Sequence, residues 1–413
     1  MDMGRGNAPE CLVDLSGLSI SGSLARFFGR LSMGSLFMRQ EFRPHLGVLC
    51  LLVSALISQL RTAADEPLSL DRIQFDQTVA RAITFLETKG QADDGSYSSV
   101  AGLGPTALVT TAIMRHGRTP KDPLVAKSLS CLEKFVQADG GIYQKGTFYR
   151  NYETCLAVLC FTQANREGRY GQIIKDADAF LKGLQWDEDK GADRSNPAHG
   201  GAGYGKHGRP DLSNTNFLIE ALRATGNSID SEAMKRALVF VSRSQNLESE
   251  HNLTEFAVKN PDGGFYYTPA AGGVSQAGRT ASGGLRSYGS MTYAGLKSMI
   301  YAGVGPEDQR VKAAIEWIQQ HYDLKSNPGI GSAGLYYYYH TFAKALDAME
   351  KDIFVDAKGT KHHWRAELAA ALARRQRKDG SWINENARWL EGNASLVTGY
   401  ALLSLSYCRP RAE

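Results

Sequence analysis

No two of the six cysteines stand in a Cys-x-x-Cys spacing, which leaves a thiolate zinc knuckle without its ligands. Cys131, Cys155, Cys160 and Cys408 fall inside apolar helical patterns, where buried free thiols are expected rather than disulfides, and Cys11 and Cys50 lie near the start of the chain. A strong charge imbalance is missing too. The 47 Lys and Arg stand against 43 Asp and Glu, a net charge of +4. Residues 1–64 hold six of the former and four of the latter, so the remainder is nearly neutral and carries no basic footprint for nucleic acid. The phosphate loop of a nucleotide-binding protein is also absent: Gly201-Ala-Gly-Tyr-Gly205 has no strand before it and no Gly-Lys-Ser/Thr after it. The apolar run at 46–57 is shorter than the ~20 residues that a spanning helix needs. It follows Arg39 and Arg43 and precedes Thr62-Ala-Ala64, which predicts an export signal at 38–64, cleaved near Ala64, and a periplasmic or extracellular protein. Residues 1–37 read as an over-extended start, with Met38 placed as the true one. The alternative is an N-terminal anchor, so membrane association stays open.

What the chain has is a repeat. With 413 residues, 43% hydrophobic and 22% charged, it has ample material for a large core. Six times a helix-forming stretch runs into a polar, glycine-rich turn with an aromatic residue behind it, and a second helix-forming stretch follows. The clearest turns are Gln91-Ala-Asp-Asp-Gly95-Ser-Tyr97, Gln137-Ala-Asp-Gly-Gly141-Ile-Tyr143 and Gln376-Arg-Lys-Asp-Gly380-Ser-Trp382. Weaker ones centre on Gly203 with Tyr204, Gly264 with Phe265, and Gly334 with Leu335 and Tyr336. The marker glycines are 46, 62, 61, 70 and 46 residues apart, the signature of a supersecondary unit that must stack on its neighbours to bury its apolar face. The first helices of the units, at 76–89, 122–137, 170–184, 231–244, 308–321 and 362–375, are amphipathic and predict a half-wet outer ring. The second helices, at 105–114, 152–162, 211–224, 290–302, 336–349 and 393–407, are apolar all round and belong inside. Six such hairpins close into two concentric rings over 65–413, an all-α, α6/α6 toroid. Its long insertion at 245–289 has the length of a lid or binding loop and is expected to fold over the cavity mouth, with a short hairpin, or else to be a passive surface excursion.

Parallel inner helices bring their N-termini to one end, where exposed N–H donors favour negative charge. That rim is expected to hold Arg150, Tyr152, Glu153, Asp211, Asn214, Ser290, Tyr293, Tyr338, His340, Glu391 and Asn393, above a barrel centre lined by apolar and aromatic side chains.

The Gln-x-x-x-Gly-x-Trp/Tyr turns, with helices such as Thr292-Tyr-Ala-Gly-Leu-Lys-Ser-Met and Ser395-Leu-Val-Thr-Gly-Tyr-Ala-Leu-Leu-Ser-Leu, resemble the repeats shared by squalene and hopene cyclases and the β subunits of protein prenyltransferases. The resemblance covers essentially all of 71–408. It implies an α6/α6 toroid whose central cavity, in the enzymes, holds an isoprenoid, and it is nearest to exported single-barrel members. The repeated Gln and aromatic residues read as structural, the amide satisfying helix-terminal groups and the ring packing between hairpins. Triterpene cyclases carry Asp-x-Asp-Asp-Thr, whose middle Asp is the protonating acid. Here the matching stretch is Asp211-Leu-Ser-Asn-Thr215, with Ser213 in place of the acid and Asn214 beside it; a hydroxyl cannot protonate an alkene. Asp211 is left as a substitute acid or as a helix N-cap. The prenyltransferases hold zinc through Asp, Cys and His. His340 matches their His, but Arg286 and Tyr288 stand at the other two positions, and one ligand of three does not hold a metal.

Other chemistry stays open at this stage. The tyrosines at 336–339 with His340 are the densest acid/base cluster, suited to glycan β-elimination with Arg150 or Arg286 neutralising a uronate, or else to a packed aromatic stack. Glu153 and Glu391 form a candidate carboxylate pair for glycoside hydrolysis. Asp211, His340 and Tyr338 are therefore the catalytic candidates, and Arg150, Tyr152, Glu153, Asn214, Tyr293 and Glu391 the ligand-contacting ones. The expected partner is a small hydrophobic ligand, an isoprenoid or other lipid, because aromatic faces hold polyisoprenoid chains and stabilise carbocations. No metal or cofactor is expected, and the sequence names no partner chain. A glycan lyase or hydrolase and a plugged, non-catalytic interaction barrel are the alternatives.

Overall fold

The computed structural model describes residues 71–205 and 208–409; the export signal expected at 38–64, the segment before it, and Cys11 and Cys50 lie outside the described residues. Two kinds of helix alternate along the chain. The first kind comprises α1 (Arg72–Phe85), α3 (Pro123–Glu133), α5 (Gly171–Leu184), α7 (Glu232–Arg243), α10 (Gln309–Gln320) and α12 (Trp364–Arg375). The second comprises α2 (Gly104–Arg115), α4 (Arg150–Ala164), α6 (Leu212–Ala224), α9 (Gly289–Tyr301), α11 (Leu335–Ala348) and α13 (Ala394–Ser406). Burial separates the two. Every residue of α13 from Ser395 to Leu405 is buried, whereas α5 buries only the stripe Ala177, Leu181 and Leu184. A helix apolar on all sides needs neighbours on all sides. Each inner helix accordingly packs on the next, and α13 returns to α2, closing a ring of six. The outer helices cover it, α1 resting on α13.

Helix ends follow local chemistry. Asp71 caps α1, its carboxylate accepting from the Gln74 N–H at 2.7 Å, so the helix starts earlier than periodicity alone predicts. Asp122 and Asp308 cap α3 and α10 in the same way. The four described cysteines are buried free thiols.

The repeated turns tie one hairpin to the next. Gln91 Nε2 donates to the Leu124 carbonyl at the start of α3 (2.8 Å), Gln185 to Ala233 of α7 (2.9 Å), Gln245 to Arg310 of α10 (2.8 Å), and Gln376 to Thr78 of α1 (2.9 Å). Gln376 thereby joins the last unit to the first. Turn glycines with positive φ face outer helices too: Gly95, Gly140, Gly200, Gly263 and Gly380 each lie so close to a backbone carbonyl of the next outer helix that a Cβ would sit within 1.8–2.7 Å of it. A second repeated contact pins turn to inner helix. Backbone N–H groups of Tyr97, Ile142, Ala202, Phe265 and Trp382 donate to the hydroxyls of Thr106, Thr154, Thr215, Thr292 and Thr398, at 2.9–3.2 Å. Thr215, the residue that matched the cyclase acid motif, is therefore one of five equivalent turn anchors.

The insertion at 245–289 is ordered. It contains the short helix α8 (Glu255–Lys259) and four isolated antiparallel bridges around its own small core of Phe256, Tyr266 and Leu285. It docks on the start of α6, where the Leu212 N–H donates to the Tyr267 carbonyl (2.8 Å) and the Thr268 hydroxyl to the Pro210 carbonyl (2.7 Å). A two-residue hairpin, β1 (Phe354–Val355) with β2 (Lys361–His362), lies between α11 and α12.

Candidate functional site

Two cavities lie along the barrel. The first, about 200 Å³, is walled by the starts of the inner helices: Pro105 of α2, Tyr152 of α4, Ser213 of α6, Ser290 and Met291 of α9, Tyr337 of α11 and Leu396 of α13. That all six contribute their N-terminal turns means that the inner helices run parallel. Tyr149, Tyr204, Tyr267 and Tyr288 complete the wall from the connecting segments, two of them from the insertion at 245–289. The rings pack edge to face, Tyr152 on Phe217 (5.4 Å between centroids) and Tyr337 on Tyr400 (6.0 Å). Burial raises the phenol pKa values of Tyr204, Tyr267, Tyr288, Tyr337 and Tyr400, and that of Tyr152 to about 12, so these hydroxyls are neutral at neutral pH. The Ser213 and Tyr337 hydroxyls bond each other at 2.9 Å. Trp389 and Leu390 close the mouth, consecutive non-glycine residues with φ of 55° and 65°, both more than 40% exposed. Strained backbone of this kind is held only where the surroundings fix it; here Glu391, the next residue, accepts the N–H groups of Tyr336 (3.0 Å) and Tyr337 (2.8 Å) and so anchors the strap to the start of α11.

The carboxylates expected to do chemistry at this end are committed to the backbone. Glu391 is occupied as described and also accepts from Asn384 Nδ2 at 2.6 Å. Glu153 accepts the N–H groups of Leu103 (3.1 Å) and Gln144 (2.9 Å), tying α4 to the start of α2. Asp211 is the N-cap of α6: one oxygen accepts the Asn214 N–H (2.9 Å), the other the Asn214 side chain (2.8 Å), and it stands behind the cavity wall rather than on it. Burial lifts its pKa to about 6 against the pull of these donors. Folding therefore takes up a proton on Asp211 between roughly pH 4 and 6. Its contribution to stability falls as pH rises through that window, by roughly 3 kcal/mol in full. Asn caps as well as Asp, so Asp211→Asn is expected to remove this slope while keeping the helix. Urea unfolding of both proteins at pH 4.5 and 7.5 measures it; parallel pH dependences would mean that Asp211 does not titrate as described.

The remaining expected site residues do not gather here. Tyr338 donates to the Asp323 carbonyl at 2.6 Å, on the outer side of α11, and Tyr293 packs its ring on Tyr338 and Phe342 in the same layer. Arg150 lies over the Tyr143 ring (4.7 Å), and exposed Arg286 donates to the Arg279 carbonyl (3.1 Å). His340 is on the wall of the second cavity. Only Tyr152 and Glu391 of the expected rim, with Ser290, line the first one. One turn of helix is the reason: positions 338 and 293 sit on the faces of α11 and α9 that meet the outer layer, while position 340 lies further along the axis.

The second cavity, about 360 Å³, lies towards the ends of the inner helices. Arg115, Gln163, Arg223, Tyr301, Lys344 and Leu403 line it, with Phe217 shared between the two cavities. Glu220 on its wall bonds both Lys344, also on the wall, and the fully buried Lys297 behind it. This triad was not anticipated from sequence. Its signal was a charged residue one turn before the C-terminus of each of three largely apolar inner helices, α6, α9 and α11. Among the described residues no three His, Cys, Asp or Glu side chains come together to hold a metal.

The chain matches no protein-family model and no curated protein. Among solved structures it is similar to a family 76 glycoside hydrolase from a bovine Bacteroides thetaiotaomicron strain, at 11% identity and TM-score 0.52, over 80% of this chain and 77% of that one. The fold is an α/α toroid. A looser likeness, at TM-score 0.47 and 13% identity, is to the type II terpene cyclase MstE from Scytonema, over 82% of this chain and 98% of that one. Both likenesses concern the path of the backbone alone.

Proposed function

We propose that the protein binds the apolar part of an isoprenoid or comparably slender lipid in the aromatic cavity at the inner-helix N-termini, without the acid-initiated or zinc-dependent reactions of the families that its repeats resemble. One observation carries the reading: a tyrosine-walled cavity lies under a strap, Trp389–Leu390, that exposes two large apolar side chains at its mouth. Water gains little there, and an apolar chain gains contact with ring faces on every side. The volume, about 200 Å³, is below the ~300 Å³ at which pockets begin to take drug-sized ligands, so a chain segment rather than a bulky ring system fits, with the strap as the part that yields. Glycoside hydrolysis needs one carboxylic acid and one carboxylate free to face the bond, and Glu153, Glu391 and Asp211 are each committed to helix N-termini.

Native mass spectrometry of the gently purified protein is expected to show a bound isoprenoid or lipid, and geranylgeraniol added to stripped protein is expected to replace it. Ser213→Phe, which fills the cavity from its wall, should weaken geranylgeraniol binding by on the order of tenfold with the melting temperature near that of the parent. Stripped parent protein that takes up no geranylgeraniol, or a Ser213→Phe protein that binds it as well as the parent, would exclude this cavity as the lipid site.

A further inference from the structure

The second cavity has a chemistry of its own. Arg115 and Arg223 are the last and next-to-last residues of α2 and α6, where cations complement the helix dipoles. That accounts for their charge but not for how they are held. Arg115 lies over the Tyr407 ring at 5.0 Å and donates to its hydroxyl at 2.5 Å; Arg223 lies over Tyr301 at 4.2 Å. Stacking on tyrosine faces fixes each guanidinium while leaving most of its donors unspent, and neither has a carboxylate partner among the described residues. Deeper in, beyond the last turn over which a helix dipole acts, Glu220 is shared by Lys297 and Lys344. One carboxylate thus faces two ammonium and two guanidinium groups. Even with Lys297 neutral, its pKa pushed down to about 7 by burial, cations exceed anions by three to one. His340, only 3% exposed and on the same wall, has an Nδ1 with no protein partner. A buried polar atom without a partner is uncommon in a native protein. Leu108, Leu156, Leu159 and Leu403 give the wall its apolar part, alongside Thr111, Thr162 and Gln163.

We propose that this chamber is a second binding site, for an organic anion that sets a carboxylate or phosphate among Arg115, Arg223 and Lys344 and an apolar body against the leucines. The exposed position of Arg223 and the half-buried Arg115, Gln163 and Tyr407 make this end the entrance. Phe217 separates the chamber from the aromatic cavity, so the two sites are occupied independently.

Isothermal titration of the purified protein with octanoate, octyl phosphate, octanol and inorganic phosphate tests the assignment. Octanoate or octyl phosphate is expected to bind one to one. Octanol, with the body but not the charge, and inorganic phosphate, with the charge but not the body, should each bind on the order of tenfold more weakly or not at all. Arg223→Gln, at an exposed position where folding is not at stake, and Arg115→Gln should each weaken the anions by about tenfold and leave octanol unchanged. Ser213→Phe, in the other cavity, should leave octanoate binding as it is; loss there would place the anion in the aromatic cavity and overturn the proposal. Equal affinity for octanoate and octanol, undiminished anion binding by both arginine variants, or no binding of either anion by the parent would overturn it as well.

Discussion

Replacement of Glu220 by Gln is expected to cost about 3–5 kcal/mol of folding stability at neutral pH, the range observed when one member of a buried ion pair is removed. Glu220 bonds Lys297 and Lys344, and all three side chains are at most 8% exposed. Without its charge the two ammonium groups repel each other in a medium that solvates neither. Proton linkage gives the prediction a second readout. Lys297 is already depressed to about 7, first by burial, whereas an unfolded lysine titrates near 10.4. The unfolded chain therefore binds more protons between about pH 7 and 10.4, and stability rises with pH across that window. In the Gln variant both lysines lose the carboxylate that holds their protons, so the rise should be steeper and should recover part of the loss by pH 10. Glu220 acts at the acid end. Its lysine partners outweigh burial and hold its pKa far below the ordinary value, so its contribution is present above about pH 4.3 and disappears as pH falls through the depressed folded value. Guanidinium unfolding across pH 2–10 separates these effects. A triple variant, Glu220→Leu with Lys297→Met and Lys344→Met, should regain most of the stability, because an apolar replacement leaves no charge uncompensated, and should lose anion binding in the chamber. A single Glu220→Gln variant within about 1 kcal/mol of the parent at pH 7 would show that the triad is solvated rather than buried.

The second large effect belongs to the closure of the ring. Gly380→Ala should destabilise the protein well beyond what its backbone angle alone costs. With φ at +88°, an L-residue there loses about 1–2 kcal/mol, and the new Cβ would lie 2.3 Å from the Arg81 carbonyl oxygen of α1. Relief of that overlap requires the last turn to draw away from the first outer helix, which adds about 1–3 kcal/mol and stretches the Gln376 bond to the Thr78 carbonyl. Gly117→Ala is the control. Its φ of +94° carries the same backbone penalty, but nothing lies within 4 Å of the added carbon. The difference between the two variants in unfolding free energy isolates the contact that joins unit six to unit one. If the two variants proved equally stable, Gly380 would be serving its turn rather than the ring.

The pattern at Gly380 shows why so much of the fold was legible. A glycine with an aromatic residue behind it and a glutamine ahead of it marks the point where one hairpin meets the next, and periodicity on either side told outer helices from inner ones. The ordering of elements, the two rings and the parallel inner helices all followed from these local signals. The site was less legible, for a geometric reason. A position at a helix start defines height along the barrel axis but not direction around the helix. Tyr338 and Tyr152 both fall in the first turn or so of their helices, yet one hydroxyl reaches the outer layer and the other borders the cavity. Glu153 and Glu391 looked like free acids because their partners are backbone N–H groups, brought from 55 residues away in the case of Glu391 and Tyr336, whereas the N-cap reading open for Asp211 is local, its partner Asn214 lying three residues on.

What the sequence determined by itself was the repeat, and with it an all-α toroid: amphipathic and fully apolar helices in alternation admit few other ways to bury their faces. Asp211-Leu-Ser-Asn-Thr215 showed equally well that the cyclase acid is missing, since that is a matter of which side chains exist. Only the tertiary structure decided which residues meet. It turned Thr215 into one of five turn anchors and took Tyr338 out of the cavity. It also brought Glu220, Lys297 and Lys344, from three helices separated by 77 and 124 residues from the carboxylate, into a single buried cluster. Proximity of that kind is set by ring closure, a property of all six units together that no one segment carries.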